Sequence, residues 1–360
     1  MKKTTAILAL AMLMQAASFG FSINIDPPSV WVQSPANSAA GGTIFVENRG
    51  DEPITVKAYA EDWTFAADRS KEFKRAGTTK FSCSGWISIY PKEFTLAGGS
   101  SRQVQYSITV PDGASGGYNS VIFFESSVQG TSSSLGSKVI LAGRIGTIVY
   151  LNVKGASHRE VSATEYIVSK PDEDRPLNIK LMVKNEGSAI LSAEGTSVIM
   201  DKDGKIYGRV GIPKFYLLPG DIAPAKAVWF GMLGQGTYKV LTSIDYGAGL
   251  PTVAEKEIVV RAGGQLSSIK LTPGRTNKVS FVYVNKGNVT TSVSGRVEVY
   301  GPKGSAVKTF KIGPVKIQPS LSRAFGYNWT GKLAKGTYAV KVMLEDASGS
   351  LLGTGNILIR

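Results

Sequence analysis

Cysteine and histidine are almost missing from this chain of 360 residues, which has one of each, Cys83 and His158. A single cysteine excludes an internal disulfide, and Cys83 reads as a small buried hydrophobe. A single histidine excludes a histidine-built zinc site and leaves any Ser-His-Asp or Cys-His arrangement only His158 to use. His158 reads as a surface residue. There is no Gly-Lys-Ser/Thr phosphate loop, because Gly98-Gly99-Ser100-Ser101 lacks the lysine. Asp201-Lys202-Asp203-Gly204 begins like a calcium loop, but its twelfth place is Ile212 where a bidentate glutamate belongs, so it reads as a hairpin turn. Past residue 22 no run reaches ~18 apolar residues, so no membrane-spanning helix is expected in the mature chain. These absences predict a protein that is not an enzyme and carries no cofactor and no metal.

Acidic residues are scarce in one region only. Residues 23–155 hold 12 Lys and Arg against 11 Asp and Glu, residues 156–261 hold 13 against 13, and residues 262–360 hold 14 against 3. The net charge of +14 therefore belongs almost wholly to the last third. Basic residues have a gap of their own: none lies between Lys3 and Arg49.

What is present begins with export. Lys2 and Lys3, then the apolar run 6–14, then Ala16, Ala17, Ser18, Gly20 and Ser22 read as a secretory signal over residues 1–22. No cysteine stands at the cleavage position, which speaks against a lipid anchor. The expected location is periplasmic or secreted, and export argues against a nucleic-acid partner.

One passage is written twice. Trp229, Leu233, Gly236, Thr237 and Tyr238 recur as Trp329, Leu333, Gly336, Thr337 and Tyr338, one hundred residues on. Asn185-Glu186-Gly187 answers Asn285-Lys286-Gly287, and Gly195, Gly204 and Pro219 answer Gly295, Gly304 and Pro319. A repeat of about 100 residues is the size of an immunoglobulin-like sandwich. Alternating runs such as Ile179, Leu181, Val183 and Val279, Phe281, Tyr283 predict strands, with Asn-x-Gly and the turns at 201–204 and 301–304 as punctuation. Trp229, Trp329, Tyr238 and Tyr338 read as core aromatics. The chain is thus expected to be all-β: a signal over 1–22, then immunoglobulin-like β-sandwich domains over 23–155, 156–261 and 262–360.

The first third has the same grammar at greater length. Asn48-Arg49-Gly50 follows a strand, then come Tyr90-Pro91, Phe94-Thr95-Leu96, Gly117-Tyr118 and a strand ending Ile148-Val149-Tyr150-Leu151. This order resembles the N-terminal domain of the PapD-like periplasmic pilus-assembly chaperones over residues 24–153. The resemblance implies a chaperone-like assembly factor that lends its last strand to an exported, β-rich pilus-type subunit. That strand would be residues 138–151, with Val139, Leu141, Ile145, Thr147 and Val149 meeting the partner. Apolar residues on both faces suit a lent strand and an ordinary central strand alike. The resemblance also implies two basic residues clamping the subunit's terminal carboxylate. The first strand offers none, Thr147 stands at the second place, and Arg144 falls on the opposite face. A second reading comes from charge: a structural or adhesive envelope protein binding an anionic polymer through the third domain, with Lys311, Lys332 and Lys335 as its contacts.

Overall fold

The computed structural model describes residues 23–131, 138–169, 176–347 and 349–359; the signal read in residues 1–22 and the acidic run Asp172-Glu173-Asp174 lie outside them. The chain is all-β, built as tandem immunoglobulin-like sandwiches. It divides into two compact units: Met1–Arg159 with Gly187–Ile190, and Glu160–Glu186 with Leu191–Arg360.

In the first unit ten strands follow one another: β1 Ile23–Asp26, β2 Ser29–Ser34, β3 Ser38–Asn48, β4 Ile54–Phe65, β5 Lys71–Lys74, β6 Ile87–Tyr90, β7 Glu93–Leu96, β8 Ser101–Val110, β9 Gly117–Thr131 and β10 Lys138–Val153. They form one sheet in the order β1-β3-β8-β6 and a second in the order β2-β10-β9-β4-β5, with β7 also on β4. The period of two decides which side chains meet. Along β8, Val104, Tyr106, Ile108 and Val110 are buried and their neighbours exposed. They join Ile44, Val46, Val56, Ile122, Phe124, Val149 and Leu151 between the sheets. Each such aliphatic side chain stabilises the fold by roughly 1.5–3 kcal/mol on burial.

β1 lies antiparallel on β3, whereas β2 lies parallel on β10. The chain changes sheets at Pro27-Pro28, two residues without an N–H to give either ladder. The loop 66–82, where Arg69, Lys71, Lys74, Arg75 and Lys80 outnumber Asp68 and Glu72, is pinned by a carboxylate. Asp62 is fully buried and accepts hydrogen bonds from the N–H groups of Thr78 (2.8 Å) and Thr79 (2.9 Å) and from Ser82 Oγ (2.6 Å). Beside it Cys83 is buried, as expected, and its thiol is pushed up to about 12 by desolvation and by the Asp62 charge.

The second unit holds the duplication. Its first copy runs β11 Val161–Val168, β12 Leu177–Asn185, β13 Leu191–Asp201, β14 Ile206–Leu217, β15 Ile222–Trp229, β16 Gly236–Asp245 and β17 Thr252–Val260. Its second copy runs β18 Gly264–Thr272, β19 Thr276–Asn285, β20 Thr291–Tyr300, β21 Ala306–Ile317, β22 Ser322–Thr330, β23 Tyr338–Glu345 and β24 Leu351–Ile359. The sheets are β11-β12-β15 with β14-β13-β16-β17, and β18-β19-β22 with β21-β20-β23-β24. Register repeats with the sequence: Ser197 faces Thr242 and Val297 faces Val342, and both copies carry a bulge before Gly195 or Gly295. A Cβ at these glycines would lie 2.3 Å from Ser243 O and 2.1 Å from Met343 O, so only glycine lets the bulged strand approach its neighbour.

The repeated residues have structural duties. Tyr238 and Tyr338 are buried, and their hydroxyls donate to the carbonyls of Gly234 (3.0 Å) and Ala334 (2.9 Å), four residues upstream. This is the corner that fixes the entry of a strand in such sandwiches. Trp229 and Trp329 are half-buried. The Asp201–Gly204 segment is a hairpin turn, with Asp201 Oδ1 accepting from the N–H groups of Asp203 and Lys205 and Gly204 at φ +81°.

Asn-x-Gly differs from the expectation of a left-handed turn. Asn185 ends β12 in one sheet and the next strand, β13, lies in the other. Asn48, Asn185 and Asn285 are buried, and their amides donate into a second loop: to Leu96 and Ala97 O, to Leu217 and Leu218 O, and to Val289 and Ile317 O. The asparagine is a brace between two crossings of the sandwich, and its amide satisfies carbonyls that no ladder reaches.

Candidate partner-binding edge

β10 is the longest strand, and its two sides are unequally covered. On one side β9 pairs with it from Asn152 back to Lys138. On the other, β2 pairs only over residues 148–153. Among the described residues, residues 138–147 have β9 as their one pairing partner. Ile148 N–H donates to Pro28 O (3.0 Å), and there the parallel ladder stops because Pro27 and Pro28 supply no donor. Alternate residues aim their N–H and C=O to the same side. The backbone groups of residues 146, 144, 142 and 140 therefore face the uncovered side.

The named residues fall into three groups. Val139 and Leu141 are fixed in the ladder opposite Gly130 and Val128, and their side chains lie outside the described residues. Ile145 is half-buried and packs against the core. Thr147 and Val149 are fully buried, and Thr147 Oγ1 donates to Pro27 O (2.9 Å). Thr147 thus closes the gap left by the proline with a neutral hydroxyl, at the place where the resemblance implied a cation.

Arg144 lies on the other face, as the spacing required. Its guanidinium donates to Glu61 Oε2 (2.9 Å) and Tyr59 OH (3.4 Å) and lies 4.1 Å from the centroid of the Phe123 ring. Tyr59 in turn donates to Glu125. Burial and that bond to Glu125 push the Tyr59 hydroxyl up. Glu61 is itself engaged by Arg144, so the Arg144 guanidinium is already paired. The Arg144–Glu61 pair, with side chains 41% and 23% exposed, stabilises by less than about 1 kcal/mol. The sequence reading missed Pro27-Pro28 as the element that leaves the edge open. The signal was present as two consecutive prolines, which fall between β1 and β2.

The lysines named within residues 262–360 are separated. Lys311 is on β21, opposite Arg296 on β20. Lys332 and Lys335 are on the connection from β22 to β23, where Gly336 abuts Pro302. No described contact joins Lys311 to the other two. Among the described residues no group of three His, Cys, Asp or Glu is placed to hold a metal ion, and no helix is long and apolar enough to cross a membrane.

No protein-family model matches the chain, and no curated protein matches it. Solved structures do. The Class 5 fimbriae chaperone CfaA is similar at a TM-score of 0.38 and 10% identity, over 65% of this chain and 99% of that one. The Salmonella enterica SafA pilin–SafB chaperone complex is similar at 0.35 and 15%, over 68% and 98%. The E. coli chaperone DraB is similar at 0.33 and 15%, over 67% and 98%. A likeness this distant decides neither partner nor mechanism. The solved proteins that the chain resembles are PapD-like fimbrial chaperones, and they span about two thirds of it.

Proposed function

We propose that this chain is a chaperone-like factor that binds an exported β-rich subunit by strand addition along residues 138–147 of β10. One observation carries the reading: among the described residues, 138–147 are laddered by β9 alone, since β2's pairing stops at the prolines. An uncovered strand edge is a template for another chain, and proteins that do not use it usually block it. Backbone groups at 140, 142, 144 and 146 would supply the hydrogen bonds, and Val139, Leu141 and Ile145 the side chains that enter the partner's groove. Thr147 and Val149 would stay in the core and set the inner limit of the docking segment. With a neutral hydroxyl at Thr147, the partner would be held by its strand and not by a clamped carboxylate.

The test separates backbone from fold. Proline at 142 removes one N–H from the uncovered side and none from the β9 ladder, whereas proline at 143 breaks that ladder. Ala142→Pro is expected to keep the melting temperature and to lose the small exported β protein that co-purifies with the tagged chain from its native host. Polar substitutions at Val139 or Leu141 should act likewise, whereas one at Ile145, which packs against the core, should also lower the melting temperature. If no such protein is recovered with the unaltered chain, or if Ala142→Pro retains it, β10 is an ordinary sheet strand. The anionic-polymer reading rests on charge alone, and the separation of Lys311 from Lys332 and Lys335 gives it no site.

A further inference from the structure

The duplicated passage is most unlike itself where it is most exposed. In the loop between β15 and β16, Phe230 is 82% exposed and Met232 67%. The same loop of the second copy, between β22 and β23, has Thr330 and Lys332 at those places, while Trp229, Gly231, Leu233 and Tyr238 keep their counterparts Trp329, Gly331, Leu333 and Tyr338. The second copy is an internal control: the loop folds with a hydroxyl and an ammonium there, so the fold does not call for Phe and Met. Large apolar side chains left in water without a structural need mark a contact surface.

We propose that this loop is a docking tip for an anionic lipid surface. Its root is fixed. The Trp229 ring fills the space over Gly208 and Gly231, where an added Cβ would fall 2.2 Å and 2.0 Å from ring atoms, and Tyr238 OH donates to Gly234 O. Phe230 and Met232 stand out from that base. Ile206 and Tyr207, 42% and 37% exposed at the start of β14, flank it, since Tyr207 meets Tyr238 edge-on at 5.1 Å and adjoins Gly208. The nearby cations are Lys205, whose Nζ lies 5.2 Å from the Tyr207 ring, and Arg209, exposed on β14; the adjoining turn also carries Asp201 and Asp203, the latter paired with Lys202. Gly236 pairs with Val260, so the loop sits at the end of its domain from which the chain enters residues 262–360, with 14 basic and 3 acidic residues.

Exposed apolar side chains on a fixed root, with Tyr and Trp at the base and lysine and arginine around, match the layers of a lipid interface: acyl chains, headgroups and anionic charge. A protein partner would need a groove shaped to two side chains, and a positive field around them would favour it less generally than it favours an anionic surface. Neither the apolar pair nor the charge anchors a protein alone, so the expected binding is weak, reversible and salt-sensitive.

The test is co-sedimentation of the purified full chain with vesicles of phosphatidylglycerol and phosphatidylethanolamine, and with vesicles of phosphatidylcholine. Binding to the first and little to the second is expected, with release as salt rises. Phe230→Ser with Met232→Ser should lower the bound fraction at least tenfold at an unchanged melting temperature. Leu250→Ser, at the opposite end of β16 and 83% exposed before substitution, should leave it unchanged. Absence of binding, equal loss in the Leu250 variant, or full binding by the double variant would each overturn the proposal. So would a concentration-dependent dimer that the double variant abolishes, since a second copy would then be what covers the tip.

Discussion

Asp62 shows how one side chain can hold a long loop. Burial alone would raise its carboxyl, but the donors of Ser82 and Thr79 outweigh it and hold it below the ordinary value of 3.8. A carboxyl lowered in the folded state contributes stability that is present above the unfolded value, near 3.9, and is lost as pH falls through the folded one. Acid titration of near-ultraviolet circular dichroism should therefore show the 66–82 loop held until the pH falls below the ordinary carboxylate range, and then released. Asp62→Asn should remove that step and cost on the order of 1–3 kcal/mol at neutral pH, because an amide N–H would then face backbone donors. Cys83, buried and with its thiol pushed up to about 12, should resist iodoacetamide in the native chain at pH 8 and react in denaturant. A native chain that alkylates within minutes would contradict the burial.

At the scale of elements, the two copies solve one packing problem in two ways. Between β13 and β16, Ser197 Oγ and Thr242 Oγ1 lie 2.7 Å apart, and Tyr166 OH reaches Thr242 at 2.6 Å. The matching places on β20 and β23 are Val297 and Val342, both fully buried. Valine and threonine share a shape, so at 242 and 342 only the hydrogen bonds differ, while Val297 also fills more space than Ser197. Thr242→Val should cost about 1–3 kcal/mol, since it strands the Ser197 hydroxyl in the core, while Tyr166 OH keeps its bond to Val240 O (3.2 Å). Ser197→Val with Thr242→Val should cost less than Thr242→Val alone, because no buried hydroxyl of the pair is then left over; urea melts of the two variants decide it. The braces follow the same logic. Asn185→Ala or Asn285→Ala should cost about 2 kcal/mol each by leaving loop carbonyls without a donor.

For the whole molecule, two compact units and a lopsided charge set the behaviour. Units with separate cores need not melt together, and calorimetry should give a transition whose van't Hoff enthalpy falls short of the calorimetric enthalpy. A single two-state peak would show that the units unfold as one. Retention on a cation exchanger should come from residues 262–360, so Lys311→Glu with Lys332→Glu and Lys335→Glu should elute at markedly lower salt. That shift reports charge, and it is separable from the lipid test, in which Phe230 and Met232 are changed and the charge is not.

Much of this was legible along the chain. Alternation and a 100-residue echo require strands and repeated sandwiches, because a period of two with turns between can bury only one face of a sheet. The buried tyrosines, the buried cysteine and the 201–204 hairpin were open to the same reading, since each depends on neighbours within a few residues. What could not be read were the facts that need a partner strand. Asn185 looks like a turn residue until the loop at Leu217 and Leu218 is folded onto it. Pro27-Pro28 looks like a punctuation mark until β2 is laid beside β10. Phe230 looks like part of a core passage until the solvent around it is seen. Local propensity settles which elements form; only the three-dimensional pairing of distant segments decides which backbone groups are left over, and those leftovers are where a partner can bind.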